Sequence, residues 1–291
     1  MNYQIFAYLY FMWSNFHTHN HYCDGKGTVL DYLRAATKQG VGQIGFSSHA
    51  PLPFPCNWCM KKEYFGDYLS EIAEAKKAFP DLEVYTGLEI DFIPGMIGPA
   101  DFSGKLDFTI GSIHFVGRTE SAFWEIDNTP GVFREGLDSI FKGDLRAAVT
   151  EYFSLTRAMV QMSRPDILGH MDKIKVNAKN FSLDESEPWY VAEVEETLEA
   201  VRNTPTIIEI NTRGIYKKKS DHTYPSPWIL ERILDYNIPV AISSDAHHPE
   251  DLTREFEATC SMIRDIGFRE ASVLKRGAWK NVPLDEYGPI R

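Results

Sequence analysis

The sequence predicts an α/β fold: a parallel sheet of seven strand–helix units, wrapped as a barrel. Three observations carry this. Short apolar runs alternate with longer helix-like stretches along the chain. Gly and Pro fall where helical stretches stop, as at Gly40 and Pro80. His, Asp and Glu recur at the carboxyl ends of the apolar runs, where parallel α/β barrels keep their chemistry. Seven units are too many for a small open sheet and one short of the common eight-stranded barrel.

Taken in order, residues 1–13 are apolar but too short to span a bilayer, and they lack a basic segment and a small-residue cleavage site. They read as an N-terminal extension, with Met12 as an alternative native start and 14–291 as a single barrel domain. The first strand is expected at 14–19 (SNFHTH) and the first helix at 29–39, ended by Gly40. A strand at 43–48 (QIGFSS) leads to an amphipathic helix at 63–78. Strands follow at 83–90 (EVYTGLEI) and 107–114 (DFTIGSIH). Residues 116–143, rich in Gly, Asp, Asn and Thr, read as an elaborated loop over one end of the barrel. A helix at 144–163 precedes a strand at 166–170 (DILGH), and a helix at 188–202 precedes one at 205–211 (PTIIEIN). Helices at 226–236 and 250–266 flank the last strand, 238–244 (IPVAISS).

Lys and Arg number 30 against 41 Asp and Glu, a net charge of −11. That balance argues against nucleic acid or an anionic membrane as a partner, and leaves room for a small anion at a local positive site. Cys23, Cys56, Cys59 and Cys260 make no disulfide framework, so a reducing cytoplasm is expected. The lone CxxC, "CNWC", reads as free structural thiols in a loop. Oligomeric state is left between monomer and small homo-oligomer.

Six of the seven expected strands deliver a metal-type residue at their carboxyl ends. The first ends in His17 and His19, with Asp24 after it. The others give His49 ("FSSHAP"), Glu89 ("GLEID"), His114 ("GSIHF"), His170 ("LGHMD"), and Asp245 with His247 ("ISSDAH"). In HxH and DxH the period of a strand puts both side chains on one face. Each residue alone reads as an ordinary hydrogen-bonded polar group; the ordered set does not. Of nine histidines only His21, His222 and His248 fall outside it. Six imidazoles and three carboxylates exceed what one zinc ion uses. They suit two or three transition metals, with Glu89 as a bridge, and the N/O donor set suits Zn, Fe or Mn.

Together "HTHNHYCDG", "SSHAP", "GLEID", "GSIHF", "GHMD" and "SSDAH" resemble the PHP (polymerase and histidinol phosphatase) family, in its stand-alone histidinol-phosphatase branch. The likeness runs from about residue 14 to 266. It implies a distorted (β/α)7 barrel and a trinuclear centre of divalent metals. One metal would take His17, His19, Glu89 and Asp245; a second would share Glu89 and take His114 and His170; a third would take Asp24, His49 and His247. Asp24 stands where several relatives have histidine, a variant found in this branch.

The activity so implied is hydrolysis of L-histidinol phosphate to L-histidinol and phosphate, in histidine biosynthesis. The expected chemistry is in-line attack on phosphorus by a hydroxide held between two metals, with Asp245 or His247 moving protons. Three divalent ions against three carboxylates leave the cluster at about +3, which reconciles an acidic protein with a phosphate dianion. Lys173, Lys175 and Arg213 are the candidate phosphate contacts. Here the chain departs from the family: many relatives carry arginine near Lys175 and another where this chain has Tyr216, and lysine lacks the bidentate fork. Glu125 or Asp127 in the acidic loop could meet a substrate ammonium. The competing expectations are another small phosphate, such as a nucleotide or phosphotyrosine, and a metal-binding protein without turnover.

Overall fold

The computed structural model describes residues 13–118, 123–285 and 288–289, so Met12 and the residues before it lie outside the described part. The elements run β1 (Trp13–Asn15), α1 (Val29–Gln39), β2 (Val41–Phe46), α2 (Phe65–Ala78), β3 (Glu83–Asp91) and β4 (Phe108–Ser112). Next come β5 (Phe115–Arg118), β6 (Phe123–Glu125), α3 (Pro130–Phe141), α4 (Leu145–Met162) and β7 (Ile167–Leu168). Then follow α5 (Lys175–Ala178), α6 (Pro188–Arg202), β8 (Ile207–Asn211), α7 (Arg213–Tyr216), α8 (Pro227–Asp235) and β9 (Val240–Ser243). The last are α9 (Phe256–Ile266), β10 (Glu270–Lys275), β11 (Ala278–Asp285) and β12 (Gly288–Pro289).

Seven strands form one sheet in the order β1-β2-β3-β4-β7-β8-β9, every neighbouring pair parallel. The two edges meet beyond the ends of β1 and β9. There the Ala246 N–H donates to the His17 carbonyl (3.0 Å) and the His19 N–H to the Ala246 carbonyl (2.8 Å). Closure therefore happens at the carboxyl ends, which is where both strands carry candidate ligands. The expected barrel and its seven strands are present, and the fold is a (β/α)7 barrel. The first strand is shorter than its pattern because side chains interrupt the ladder: the His17 N–H is taken by Asn15 Oδ1 and the Thr18 N–H by Ser47 Oγ, both at 3.0 Å.

The helices obey their local signals. Thr28 caps α1 in a capping box with Asp31, and Gly40 closes it at φ 72°, a left-handed position suited to glycine. Outward residues of the strands, such as Leu88, Ile90, Ile208 and Ile210, join the helices in the main core. Inward residues at the amino ends (Phe16, Tyr85, Phe108, Ile110, Ile167, Ile207 and Ala241) form a second apolar cluster with Val273 and Leu274 of the β10–β11 hairpin. The hairpin plugs the lower end. β3 shows the whole design in one strand: Tyr85, Gly87, Glu89 and Asp91 alternate with outward residues. Gly87 is needed because a Cβ there would lie 2.5 Å from the Phe108 ring.

Two expectations are corrected. Residues 116–143 are not simply a loop: they hold the antiparallel β5–β6 pair and α3. The polar composition that suggests a loop is that of a helix start, with Thr129 Oγ1 accepting from the Val132 N–H, Pro130 in the first turn, and Phe133 and Leu137 buried. The second correction concerns "CNWC". Cys56 and Cys59 form a disulfide, with Cα atoms 5.5 Å apart, well inside the span a disulfide bridges. Cys23 and Cys260 take no part in the disulfide.

Candidate metal centre

The carboxyl ends of the strands bring all nine candidate ligands together, and Glu89 is the hub. It is 1% exposed. Its Oε2 lies 3.2 Å from His17 Nε2, 3.4 Å from His19 Nε2 and 2.9 Å from His49 Nδ1. Its Oε1 lies 2.9 Å from His170 Nε2 and 3.6 Å from His114 Nε2. Asp245 Oδ1 faces His19 Nε2 at 3.3 Å and His17 Nε2 at 3.8 Å. On the far side Asp24 Oδ1 faces His247 Nε2 at 3.2 Å and His49 Nε2 at 3.8 Å. His170 and Asp245 adopt φ of 24° and 50°, an uncommon backbone that side chains tolerate mainly at ligand clamps and active sites. His21 bonds no member of the cluster and pairs with Glu71 at the surface.

The residues fit metal ions. His17 Nε2, His19 Nε2, His49 Nδ1 and Asp24 Oδ1 are buried atoms without a hydrogen-bond partner. Each such atom costs roughly 1–3 kcal/mol, a cost that coordination removes. Donor atoms of His19, Asp24, His49 and His247 lie within 4.8 Å of one another, and so do those of His17, His19 and Glu89, of His17, His170 and Asp245, and of His49, Glu89 and His114. Burial opposes charge on Glu89 and Asp245, yet the surrounding cations and imidazoles hold both well below the carboxylate range. Burial, with His247 and His49 beside it, pushes His19 well below the histidine range. Burial, followed by Lys173 for His170 and Arg213 for His247, lowers these two as well. The shift favours the neutral imidazole, the form that ligates metal.

Behind the candidate ligands stand carboxylates that motif reading missed. Glu209, on β8, accepts from His17 Nδ1 at 2.5 Å, from the His170 N–H at 2.7 Å and from the Ser243 hydroxyl. Asp91 holds His114 Nδ1 at 3.1 Å and its N–H at 2.9 Å. Burial works against charge on His17 and His114, but the carboxylates outweigh it: Glu209 first for His17, Asp91 first for His114, which rises to about 10. Such carboxylate–histidine pairs fix the ring and the tautomer of a ligand. Glu209→Gln is therefore expected to weaken metal affinity about 10–100-fold, read by chelator competition, with little change in far-UV circular dichroism. The signal for Glu209 was available: one carboxylate inside the apolar run "TIIEIN".

The centre opens into a cavity of about 200 Å3, lined by Asp24, His49, Glu89, His114, Asp245 and His247 and by Lys173, Arg213 and Lys219. Lys173 Nζ lies 3.7 Å from Asp127 Oδ2 and 3.8 Å from Asp245 Oδ2. Arg213 Nη1 donates to the Asp245 carbonyl at 2.7 Å and lies 2.7 Å from His247 Nδ1. Lys175, expected beside them, is placed elsewhere: its ammonium sits 2.6 Å from Asp172 Oδ2 and also bonds Ser226 Oγ and the Thr223 carbonyl. Lys219 takes a place on the lining instead, out of the run "YKKKS" that the sequence reading passed over. Where relatives were expected to carry arginine, the Tyr216 hydroxyl donates to the Ser244 carbonyl at 2.8 Å.

Residues 15–213 match the model of the PHP domain family. The chain belongs to the PHP domain family. The match includes seven of the nine candidate ligands; Asp245 and His247 reach the same cluster through the closure by β9. Among curated PHP relatives, the "Probable histidinol-phosphatase" of Deinococcus radiodurans is 28% identical over 271 residues, covering 89% of this chain and 96% of that one. The histidinol-phosphatase of Bacillus subtilis is 28% identical over 267 residues, covering 83% and 96%. Among solved structures, the histidinol phosphate phosphatase of Lactococcus lactis, complexed with zinc, L-histidinol and phosphate, superposes with a TM-score of 0.69 at 18% identity, covering 96% of this chain and 98% of that one. Among the described residues no helix is long and apolar enough to cross a membrane.

Proposed function

We propose that this PHP protein is a metal-dependent phosphomonoesterase that hydrolyses L-histidinol phosphate to L-histidinol and phosphate, in the cytoplasm and in the service of histidine biosynthesis. The observation that carries the reading is one buried carboxylate, Glu89, facing five imidazoles at the floor of a cleft that also carries three cationic side chains. The names of the relatives, histidinol-phosphatases over nearly their whole length, support the substrate. A cavity of about 200 Å3 suits a small monoester.

The proposed ligand sets are His17, His19, Glu89 and Asp245; Glu89, His114 and His170; and Asp24, His49 and His247, for three divalent ions of Zn, Fe or Mn. When bound, such ions supply Lewis-acid charge to phosphoryl oxygens and favour hydroxide near neutral pH. The chain's own groups do the rest. Lys173, Arg213 and Lys219 bind the phosphate and set its orientation. Asp245, held ionised among His17, Arg213 and Lys173, accepts a proton from the attacking water and returns it to the leaving oxygen, while neutral His247, accepting from Arg213 at Nδ1, would help to hold its metal beside it. Lys173→Met is expected to lower kcat/KM about 10–100-fold, the loss of one charged hydrogen bond, with metal content retained.

The test is phosphate release from L-histidinol phosphate by purified protein, beside nucleotides and phosphotyrosine, with metal content measured on the same sample. Selective turnover of L-histidinol phosphate by metal-loaded protein is the expected result. Preference for another phosphoester would overturn the substrate and leave the chemistry. A protein that stays metal-free and inert after reconstitution with Zn, Fe and Mn would overturn the centre.

A further inference from the structure

Trp58, the tryptophan of "CNWC", lines the same cavity. It lies on the loop between β2 and α2, flanked on both sides by the disulfide-bonded Cys56 and Cys59. Its ring stacks on Phe115 of β5, with centroids 5.7 Å apart and planes 10° apart. It meets the rings of His49 and His114 edge-on at 4.5 and 5.4 Å. Its Nε1–H donates to the Glu125 carboxylate, whose other oxygen accepts from Asn128. The indole is thus fixed on one face, at its polar edge and through its backbone neighbours, yet it stays only partly buried.

The other aromatic side chain of the lining is Tyr224. It is 1% exposed, and the ammonium groups of Lys173 and Lys175 stand 5.6 and 5.1 Å from its ring centre. Its ring face is taken. The two acidic residues that could meet a substrate ammonium are also engaged, Glu125 by Trp58 and Asn128, and Asp127 by Lys173. Trp58 is what the cavity offers to a flat, unsaturated group. A rigid, partly exposed indole with its polar edge already satisfied is a surface for ring-on-ring contact.

Resting on the phosphomonoesterase reading above, we infer that Trp58 is the specificity-determining wall of the cleft, packing against a planar ring on the leaving group while Lys173, Arg213 and Lys219 hold the phosphate. The contact belongs to ground-state binding of the ring, so its loss raises KM for ring-bearing esters.

The experiment measures kcat/KM for L-histidinol phosphate and for O-phosphoethanolamine, which has no ring, in wild type, Trp58→Ala and Trp58→Phe, with metal content determined for each. Trp58→Ala is expected to lower the ratio of the two constants about 10-fold, through KM of the ring substrate, and Trp58→Phe to restore most of it. An unchanged ratio, with both substrates falling together or neither falling, overturns the inference. If wild type does not turn over L-histidinol phosphate, the substrate proposal fails by itself. Phenyl phosphate then replaces it in the same comparison, and the ratio again decides the role of Trp58.

Discussion

Replacing Glu89 with glutamine is expected to lower kcat for phosphomonoester hydrolysis by about 10^3-fold or more, since the several kcal/mol that a metal ion lends the transition state are lost with its ligand. Bound metal should fall in the same preparation. The substitution keeps volume and shape, so packing is not at issue. Charge is. The carboxylate faces His17, His19 and His49 with one oxygen and His114 and His170 with the other. It also accepts a hydrogen bond from Ser112 Oγ at 2.7 Å. An amide offers one acceptor oxygen and turns an NH2 donor toward nitrogens that would ligate a cation. No neighbour can take its place: Asp245 reaches His17 and His19, and Asp91 is committed to His114. Full metal content and near-wild-type kcat in Glu89→Gln would sink the idea that one carboxylate joins the two ligand sets.

Glu89 was legible in the sequence, and the reason is periodicity. On β3 the residues at every second position run from an apolar residue packed on the hairpin through a glycine to a candidate ligand, so strand pattern and site pattern are the same pattern. The same logic placed His114, His170 and Asp245 at strand ends. It failed where function depends on what a side chain touches across the barrel. Glu209 and Asp91 look like any strand carboxylate in one dimension; only the closure of the sheet brings Glu209 to His17 and Asp91 to His114. Region 116–143 failed for a different reason. Its Thr, Asn and Gly mark a helix cap and turns as readily as a loop, and α3 draws its stability from burying Phe133 and Leu137 rather than from local propensity. Lysine placement is the least legible of all. A long flexible side chain can serve a phosphate or a buried carboxylate from the same position, and Lys173 and Lys175, two residues apart, part ways.

That divergence makes Lys175→Met an expected stability variant rather than a binding one. Lys175 is 4% exposed and Asp172 is fully buried. The ammonium is 2.6 Å from Asp172 Oδ2, which also accepts the Ser226 N–H at 3.0 Å. Burial holds Asp172 above the usual carboxylate range even with Lys175 beside it, so ionising this group is already costly. Methionine matches the length of the lysine stem and removes the counter-charge. Breaking a buried pair from one side costs about 3–5 kcal/mol, because the charge left behind has no partner. The loss should appear as a lower midpoint in urea at unchanged slope. Asp172→Asn in the Lys175→Met background removes the stranded charge and should recover most of that loss, a coupling that lost packing alone cannot produce. KM for the phosphoester decides between the two placements of Lys175. A lysine that touches the phosphate raises KM in the single and the double variant alike. One that serves Asp172 leaves KM of the folded protein close to wild type, and the cationic lining of the cleft then rests on Lys173, Arg213 and Lys219.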